Sequence, residues 1–133
     1  MAESSTTPLA QKLGIKEGSR VLIVNAPKKI NAVVGPLPAG AEFIRQTAGN
    51  LDVILLFAPN ASELSRKFMP LSKALAPTGG IWAAWPKKNS EVPTDLSDAL
   101  VREIGLAKGL VDNKVCAIDE TWSALRFVVR KEN

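Results

Sequence analysis

The chain has 133 residues, of which 46% are hydrophobic, and its 17 basic and 13 acidic side chains give a formal net charge of +4. This length and this hydrophobic fraction are typical of one globular domain. The charge is mild and dispersed, which argues against nucleic acid as a partner. With no histidine and one cysteine, the sequence excludes a His/Cys zinc site and a Ser-His-Asp triad.

Residues 1–7 are polar and lack the basic and apolar regions of a signal peptide, so we expect a disordered tail there. A single α/β domain is expected over residues 8–133. No apolar run approaches the roughly 20 residues of a membrane span, so no membrane contact is expected. The lone thiol, Cys116, excludes an internal disulfide and is typical of a reducing compartment, which places the protein in the cytoplasm.

The first half of the chain alternates helical and strand patterns. They predict a helical turn at 7–14, a strand at 21–24, a short helix at 30–34, a weak strand at 41–45 and a strand at 52–57. About six residues separate the last two strands, whereas a parallel crossover needs about a dozen or more. The weak strand is therefore antiparallel, marginal, or paired away from its neighbour in sequence.

A capping box opens the second half, with Asn60 as the helix cap and Glu63 as its partner. Pro70 interrupts this helix and predicts a kink or two short pieces. Residues 76–80 predict a turn into the apolar strand 81–85, which Pro86 ends.

The remaining patterns predict one more helix and a hairpin. Thr94 caps a helix that reaches about Ile104, and Gly105 ends it. Two β-rich runs at 114–119 and 122–130 form an antiparallel hairpin. Alternating strands and helices followed by this hairpin predict a three-layer, Rossmann-like α/β sandwich, with a mostly parallel sheet closed by the C-terminal hairpin.

Five spaced motifs carry a family resemblance. They are Thr7-Pro8-Leu9, Lys12-Leu13-Gly14-Ile15, Trp85-Pro86-Lys87-Lys88, Pro93-Thr94-Asp95-Leu96 and the block from Val111 to Ser123. Together they resemble a family of small bacterial proteins, domain-of-unknown-function family 3052, and the match runs from about Thr7 to Arg130. The resemblance implies a bacterial source and no settled activity.

More distantly, the layout resembles a class I S-adenosylmethionine-dependent methyltransferase. Residues 51–56 resemble the fourth strand of that superfamily, 75–81 resemble the turn into the fifth, and the hairpin resembles the last two strands. The resemblance implies a glycine-rich cofactor loop after the first strand and an acidic residue after the second. Here residues 25–29 contain no glycine and residues 44–46 no acid, so S-adenosylmethionine is disfavoured and the cofactor is left unassigned.

Basic or capping residues follow three of the predicted apolar strands. Carboxyl ends of parallel strands share one edge of a sheet, where ligands bind and where a helix N-terminus attracts anions. We therefore predict that a small anionic, nucleotide-like ligand binds at this edge. The candidate ligand-binding residues are Lys28, Lys29, Asn60, Trp85, Lys87 and Lys88. The alternatives are lysines that face solvent and a tryptophan that packs in the core.

A possible second site flanks the hairpin and comprises Asp112, Lys114, Asp119 and Glu120. The carboxylates of Asp119 and Glu120 could act as a general base or bind a cation. The alternative is that they solvate a turn while Lys114 belongs to a structural ion pair. No metal site and no catalytic residue is assigned.

Three functional hypotheses remain open. The first is a non-enzymatic or regulatory module that binds the small anionic ligand. The second is a degenerate or atypical methyltransferase relative, and the third is a structural protein that forms a homodimer through the hairpin edge. The absence of histidine and of a glycine-rich cofactor loop argues against an enzyme.

Overall fold

The computed structural model of the chain describes residues 8–28, 30–45 and 49–129. The predicted tail at 1–7 and Lys29 lie outside these ranges. The elements, in chain order, are α1 (Leu9–Lys12), β1 (Arg20–Val24), α2 (Ile30–Val34), β2 (Glu42–Phe43), β3 (Leu51–Phe57), α3 (Ala61–Ser72), β4 (Leu75–Pro86), α4 (Asp98–Ala107), β5 (Leu110–Ala117) and β6 (Trp122–Val129).

The described strands form one six-stranded sheet in the order β2-β1-β3-β4-β6-β5. Strands β1 to β4 are parallel, and β6 is antiparallel to both β4 and β5. This confirms the predicted Rossmann-like α/β fold with a mostly parallel sheet closed by a terminal hairpin. The edge strand β5 has one neighbour in the sheet, and dimerisation through it stays a prediction.

The strand order reverses between β1 and β3. The chain leaves β1 to form the two-residue β2 on one side of it, and returns to form β3 on the other side. The weak strand therefore pairs in parallel with β1 rather than with β3, its neighbour in sequence. The short connection from β2 to β3 therefore does not join two adjacent parallel strands.

The core has two layers, one on each face of the sheet. One layer packs α1 and α2 against Trp82, and the other packs α3 and α4 against Trp85. These two side chains point to opposite faces, as their odd spacing in a strand requires. The indole Nε1 of Trp82 donates a hydrogen bond to the carbonyl oxygen of Leu13 at 3.0 Å, which ties the end of α1 to the sheet.

The predicted turn before β4 is wrong. Residues 76–80 belong to β4 rather than to a turn, because β4 already pairs with β3 at Leu75. Gly79 fits there because a Cβ atom would lie 2.6 Å from the carbonyl oxygen of Leu51. Helix α3 is a single helix that continues through Pro70 and ends at Ser72, so the alternative of two short pieces is wrong and the kink stays a prediction. Asn60 caps this helix as predicted, accepting the N–H of Glu63 at 2.9 Å.

The predicted bounds of α4 are also wrong. The cap is Ser97, whose Oγ accepts the N–H of Leu100 at 3.2 Å, and Thr94 instead accepts the N–H of Leu96 in the preceding turn. Gly105 lies inside the helix rather than at its end. A side chain at this position would collide with the ring of Phe127, so packing explains the glycine better than helix termination does. Each helix in the described ranges is too short or too polar to span a lipid bilayer.

Candidate functional site

A cavity of about 550 Å³ lies at the carboxyl ends of β1 and β3, where the strand order reverses. In open α/β sheets the crevice at such a reversal is the usual ligand site. The volume is within the range of about 300–1,000 Å³ found for small-molecule sites. We call it the switch-point pocket; it is lined by Asn25, Phe57, Pro59, Glu63, Arg66, Lys67, Val92 and Trp122.

Asn25 forms the turn directly after β1 and has a φ of 59°. This left-handed conformation is usually adopted by glycine, and asparagine is among the side chains that tolerate it best. The side-chain Nδ2 donates to the carbonyl oxygen of Phe57 at 3.2 Å, and Lys67 Nζ donates to Asn25 Oδ1 at 3.4 Å. Asn25 therefore joins the ends of the two strands across the reversal without a glycine in the turn.

Substituting Asn25 tests this description of the turn. Asn25→Ala is expected to lower the free energy of unfolding by about 1–3 kcal/mol, because alanine is strained at positive φ and the bond to Phe57 is lost. Asn25→Gly loses the same bond without the strain and is expected to be more stable than the alanine variant by about 1 kcal/mol. Urea unfolding measures both. Equal destabilisation by the two substitutions would contradict the claim that alanine is strained at the positive φ of residue 25.

Two aromatic rings line the pocket. The rings of Phe57 and Trp122 meet edge to face, with centroids 5.0 Å apart and an interplanar angle of 89°. Phe57 is buried, whereas Trp122 is only partly buried. The turn before β6 positions Trp122, because Asp119 Oδ1 accepts the backbone N–H groups of Thr121 at 2.8 Å and of Trp122 at 2.9 Å. The indole therefore offers an aromatic surface to a ligand in the pocket.

Helix α3 brings three charged side chains to the pocket. The carboxylate of Glu63 pairs with Arg66 Nη2 at 2.5 Å and with Lys67 Nζ at 3.5 Å. Glu63 is held in the first turn of α3 because its backbone N–H is bound by the cap residue Asn60. The pocket thus combines one carboxylate and two cations, which suits a ligand that carries both an ammonium and a carboxylate group.

None of the predicted ligand-binding residues that the structure describes lines this pocket, and Lys29 lies outside the described ranges. Lys28 is exposed after β1, and Lys87 is partly buried after β4. Lys88 lines a neighbouring cavity of about 350 Å³ that shares Val92 with the switch-point pocket. Trp85 is 6% exposed and packs in the core, which was the alternative for this residue. Asn60 uses its side-chain oxygen to cap α3. The ligand-binding roles of all the residues predicted for this edge stay predictions.

The second predicted group does not converge on one site. Asp112 Oδ2 accepts a hydrogen bond from Arg102 Nε at 3.0 Å, and this contact raises the pKa of Arg102 above its ordinary value. Asp119 lies beyond the opposite end of β5 and organises the turn before Trp122, and Glu120 is exposed. Among the described residues, no group of three or more His, Cys, Asp or Glu side chains could hold a metal ion.

The fold is similar to solved structures of S-adenosylmethionine-dependent methyltransferases. A TehB-like methyltransferase of this kind from Corynebacterium glutamicum aligns with a TM-score of 0.60 and 8% identity over 97% of this chain and 92% of its own. One from Aquifex aeolicus aligns with a TM-score of 0.58 and 15% identity over 90% and 87%. DhpI in complex with SAH aligns with a TM-score of 0.64 and 12% identity over 98% and 87%.

No protein-family model matches the chain, and no curated protein matches it either. The resemblance to domain-of-unknown-function family 3052 is therefore not supported, whereas the methyltransferase-like layout is. The prediction that disfavours S-adenosylmethionine is contradicted, because the similar structures are S-adenosylmethionine-dependent methyltransferases and include complexes with SAH. That prediction relied on the missing acid after the second strand and on the missing glycine after β1, where Asn25 adopts the left-handed conformation instead.

Proposed function

We propose that this protein is a methyltransferase relative that binds a ligand of the S-adenosylmethionine class in the switch-point pocket. The observation that carries the proposal is the position of this pocket, of about 550 Å³, at the strand reversal of a sheet shared with S-adenosylmethionine-dependent methyltransferases. Fold similarity alone would leave the ligand open. The chemistry of the lining residues provides the further support.

The side chains that line the switch-point pocket carry chemical groups that can bind the adenine and amino-acid parts of such a ligand. Trp122 offers a surface on which an adenine ring can stack. Glu63 can hold the ammonium group of the amino-acid part, and Arg66 and Lys67 can hold its carboxylate. The methyltransferase resemblance implies an acidic residue after the second strand, but Arg45 follows β2 in this chain. No contact with the ribose of the ligand is therefore assigned there. When bound, S-adenosylmethionine would supply an activated methyl group, while the protein would bind and orient it.

Calorimetric titration with S-adenosylhomocysteine tests the proposal. We expect saturable binding to the native protein, weakened about 10- to 100-fold by Glu63→Gln, because a charge-assisted contact contributes about 1.5–3 kcal/mol. Glutamine keeps the length of the side chain and leaves in place the backbone N–H that Asn60 binds. Glu103→Gln removes an exposed carboxylate on α4 and serves as the matched control. Absence of saturable binding, or equal effects of the two substitutions, would contradict the proposal.

A second candidate is the small anionic, nucleotide-like ligand predicted from the sequence. The observation that favours it is the position of Lys88, the one cation among the described residues that line a cavity of about 350 Å³ beside the switch-point pocket. Glu91 and Asp95 also line this cavity. A ligand with an adenosine part in one cavity and phosphates in the other would contact both. ATP, titrated in parallel, separates the candidates, because S-adenosylhomocysteine carries no phosphate. Tighter binding of ATP, lost on combined Lys87→Ala and Lys88→Ala substitution, would favour this second candidate.

A further inference from the structure

Another polar cavity lies at the other end of the sheet, towards the amino ends of the parallel strands. Its volume is about 200 Å³, and we call it the amino-edge cavity. Three of its side chains are cations and one is an acid, so its lining has an excess of positive charge. It is lined by Gly14, Lys16, Ser19, Asp52, Thr78, Lys114 and Arg126.

Arg126 is the central cation of this cavity. It lies on β6 opposite Trp82 of β4 and Lys114 of β5, so the three side chains share one face of the sheet. Its guanidinium group packs over Gly80, where a Cβ atom would lie 2.5 Å from Cζ and Nε. This close approach to the backbone of β4 fixes the position of the charged group.

Arg126 forms no ion pair with any side chain in the described part of the chain. Burial lowers the pKa of its guanidinium group, as expected for a cation that is partly removed from water without a compensating carboxylate. Asp52 also lines the cavity, but its Oδ2 accepts the backbone N–H of Arg20 at 2.9 Å. Among the described residues that line the cavity, Asp52 is the one carboxylate beside three cations, and Arg126 does not pair with it.

Ser19 offers the cavity a hydroxyl donor. Its side chain is 6% exposed, and its Oγ accepts the backbone N–H of Lys16 at 2.9 Å. The Oγ of Ser19 is therefore paired as an acceptor, whereas its hydroxyl hydrogen donates to no group within the described ranges. This hydroxyl is thus free to donate to a molecule in the amino-edge cavity.

We infer that the amino-edge cavity binds a small oxyanion of the phosphoryl type, held by Arg126 and Lys114 together with Lys16 and the hydroxyl of Ser19. The planar guanidinium group can donate two parallel hydrogen bonds to such an anion. At about 200 Å³ the cavity suits one phosphoryl group rather than a whole nucleotide. It lies at the sheet edge opposite the switch-point pocket, so this site is separate from the function proposed above.

Titration with inorganic phosphate at constant ionic strength tests this site. The Nε–H signal of Arg126 in nitrogen–proton NMR spectra reports binding at the guanidinium group. We expect saturable binding to the native protein and an affinity about 10- to 100-fold weaker for Arg126→Gln, measured by calorimetry. Gly80→Ala keeps every charge but displaces the guanidinium group, so it is also expected to weaken binding. Lys73→Ala removes an exposed charge beyond α3, on the other face of the sheet, and should leave the affinity unchanged.

Circular dichroism checks that each variant is folded, and Arg126→Lys replaces Gly80→Ala if the latter fails to fold. Lysine keeps the charge without the planar group, so weaker phosphate binding is again expected. Phosphoserine, titrated in parallel, distinguishes a phosphorylated molecule from free phosphate as the source of the anion, and saturable binding of either supports the site. Absence of saturable binding of both, an unchanged affinity in Arg126→Gln, or an equal loss in Lys73→Ala would overturn the inference.

Discussion

Replacing Phe127 by alanine is expected to lower the free energy of unfolding by about 3–5 kcal/mol, the usual cost of truncating a buried aromatic side chain. Phe127 is fully buried on β6, and its ring packs edge to face against Phe68 of α3, with centroids 5.1 Å apart. It therefore connects the hairpin to the helical layer. Because domains are stable by only about 5–15 kcal/mol, this loss should be evident in urea unfolding.

Gly105 provides a sharper test of the same contact. Alanine is normally favoured over glycine inside a helix by about 1 kcal/mol. Here Gly105→Ala is expected to destabilise the protein by about 1–3 kcal/mol, because the added methyl group would collide with the ring of Phe127. In a Phe127→Ala background the same change should be neutral or stabilising. Additive effects of the two substitutions would contradict this packing. Val115→Ala, at a residue that is 72% exposed, serves as the control and should have little effect on the free energy of unfolding.

Replacing Trp122 by alanine is expected to weaken binding of S-adenosylhomocysteine by about 1–3 kcal/mol, the usual contribution of stacking between a base and an aromatic side chain. The expectation relies on the proposed function and on the position of the indole beside Phe57 in the switch-point pocket. Calorimetry with the purified variant measures the affinity. Circular dichroism before each titration distinguishes lost binding from lost structure.

Trp122→Phe is the matched control for this prediction. Phenylalanine keeps an aromatic surface at the start of β6, so most of the affinity should be retained. The backbone bonds from residues 121 and 122 to Asp119 Oδ1 do not depend on the indole, so the turn should survive both substitutions. Native affinity in Trp122→Ala would show that the ligand does not contact this side chain.

Much of the fold could be predicted from apolar runs and local capping signals. The continuous run in β3 and the capping box at Asn60 both indicate their elements directly. The start of β4 could not be predicted, because Pro77, Gly79 and Gly80 form a typical turn pattern that pairing with β3 overrides. A glycine such as Gly105 is typical of a helix end. Its position inside α4 could not be predicted, because the contact that requires glycine there comes from a distant strand.

The location of the candidate site could be predicted better than its residues. Parallel apolar strands indicate a carboxyl edge, and the switch-point pocket lies there. Trp122 was not predicted because it reaches this edge from the last strand, which is antiparallel and far from β1 in sequence. The absence of glycine at Asn25 argues against a cofactor loop, although asparagine is itself a signal for the left-handed conformation that it adopts.

The most direct test of the central claim is an NMR titration of the native protein with S-adenosylhomocysteine, with backbone and indole signals assigned. A ligand in the switch-point pocket should produce its largest shift changes at residues 25–28 and 57–60 and at the indole N–H of Trp122. Signals around Arg126, at the opposite edge, should change little. Saturable shifts confined to other surfaces, or none at all, would contradict the claim that this edge binds a ligand of the S-adenosylmethionine class.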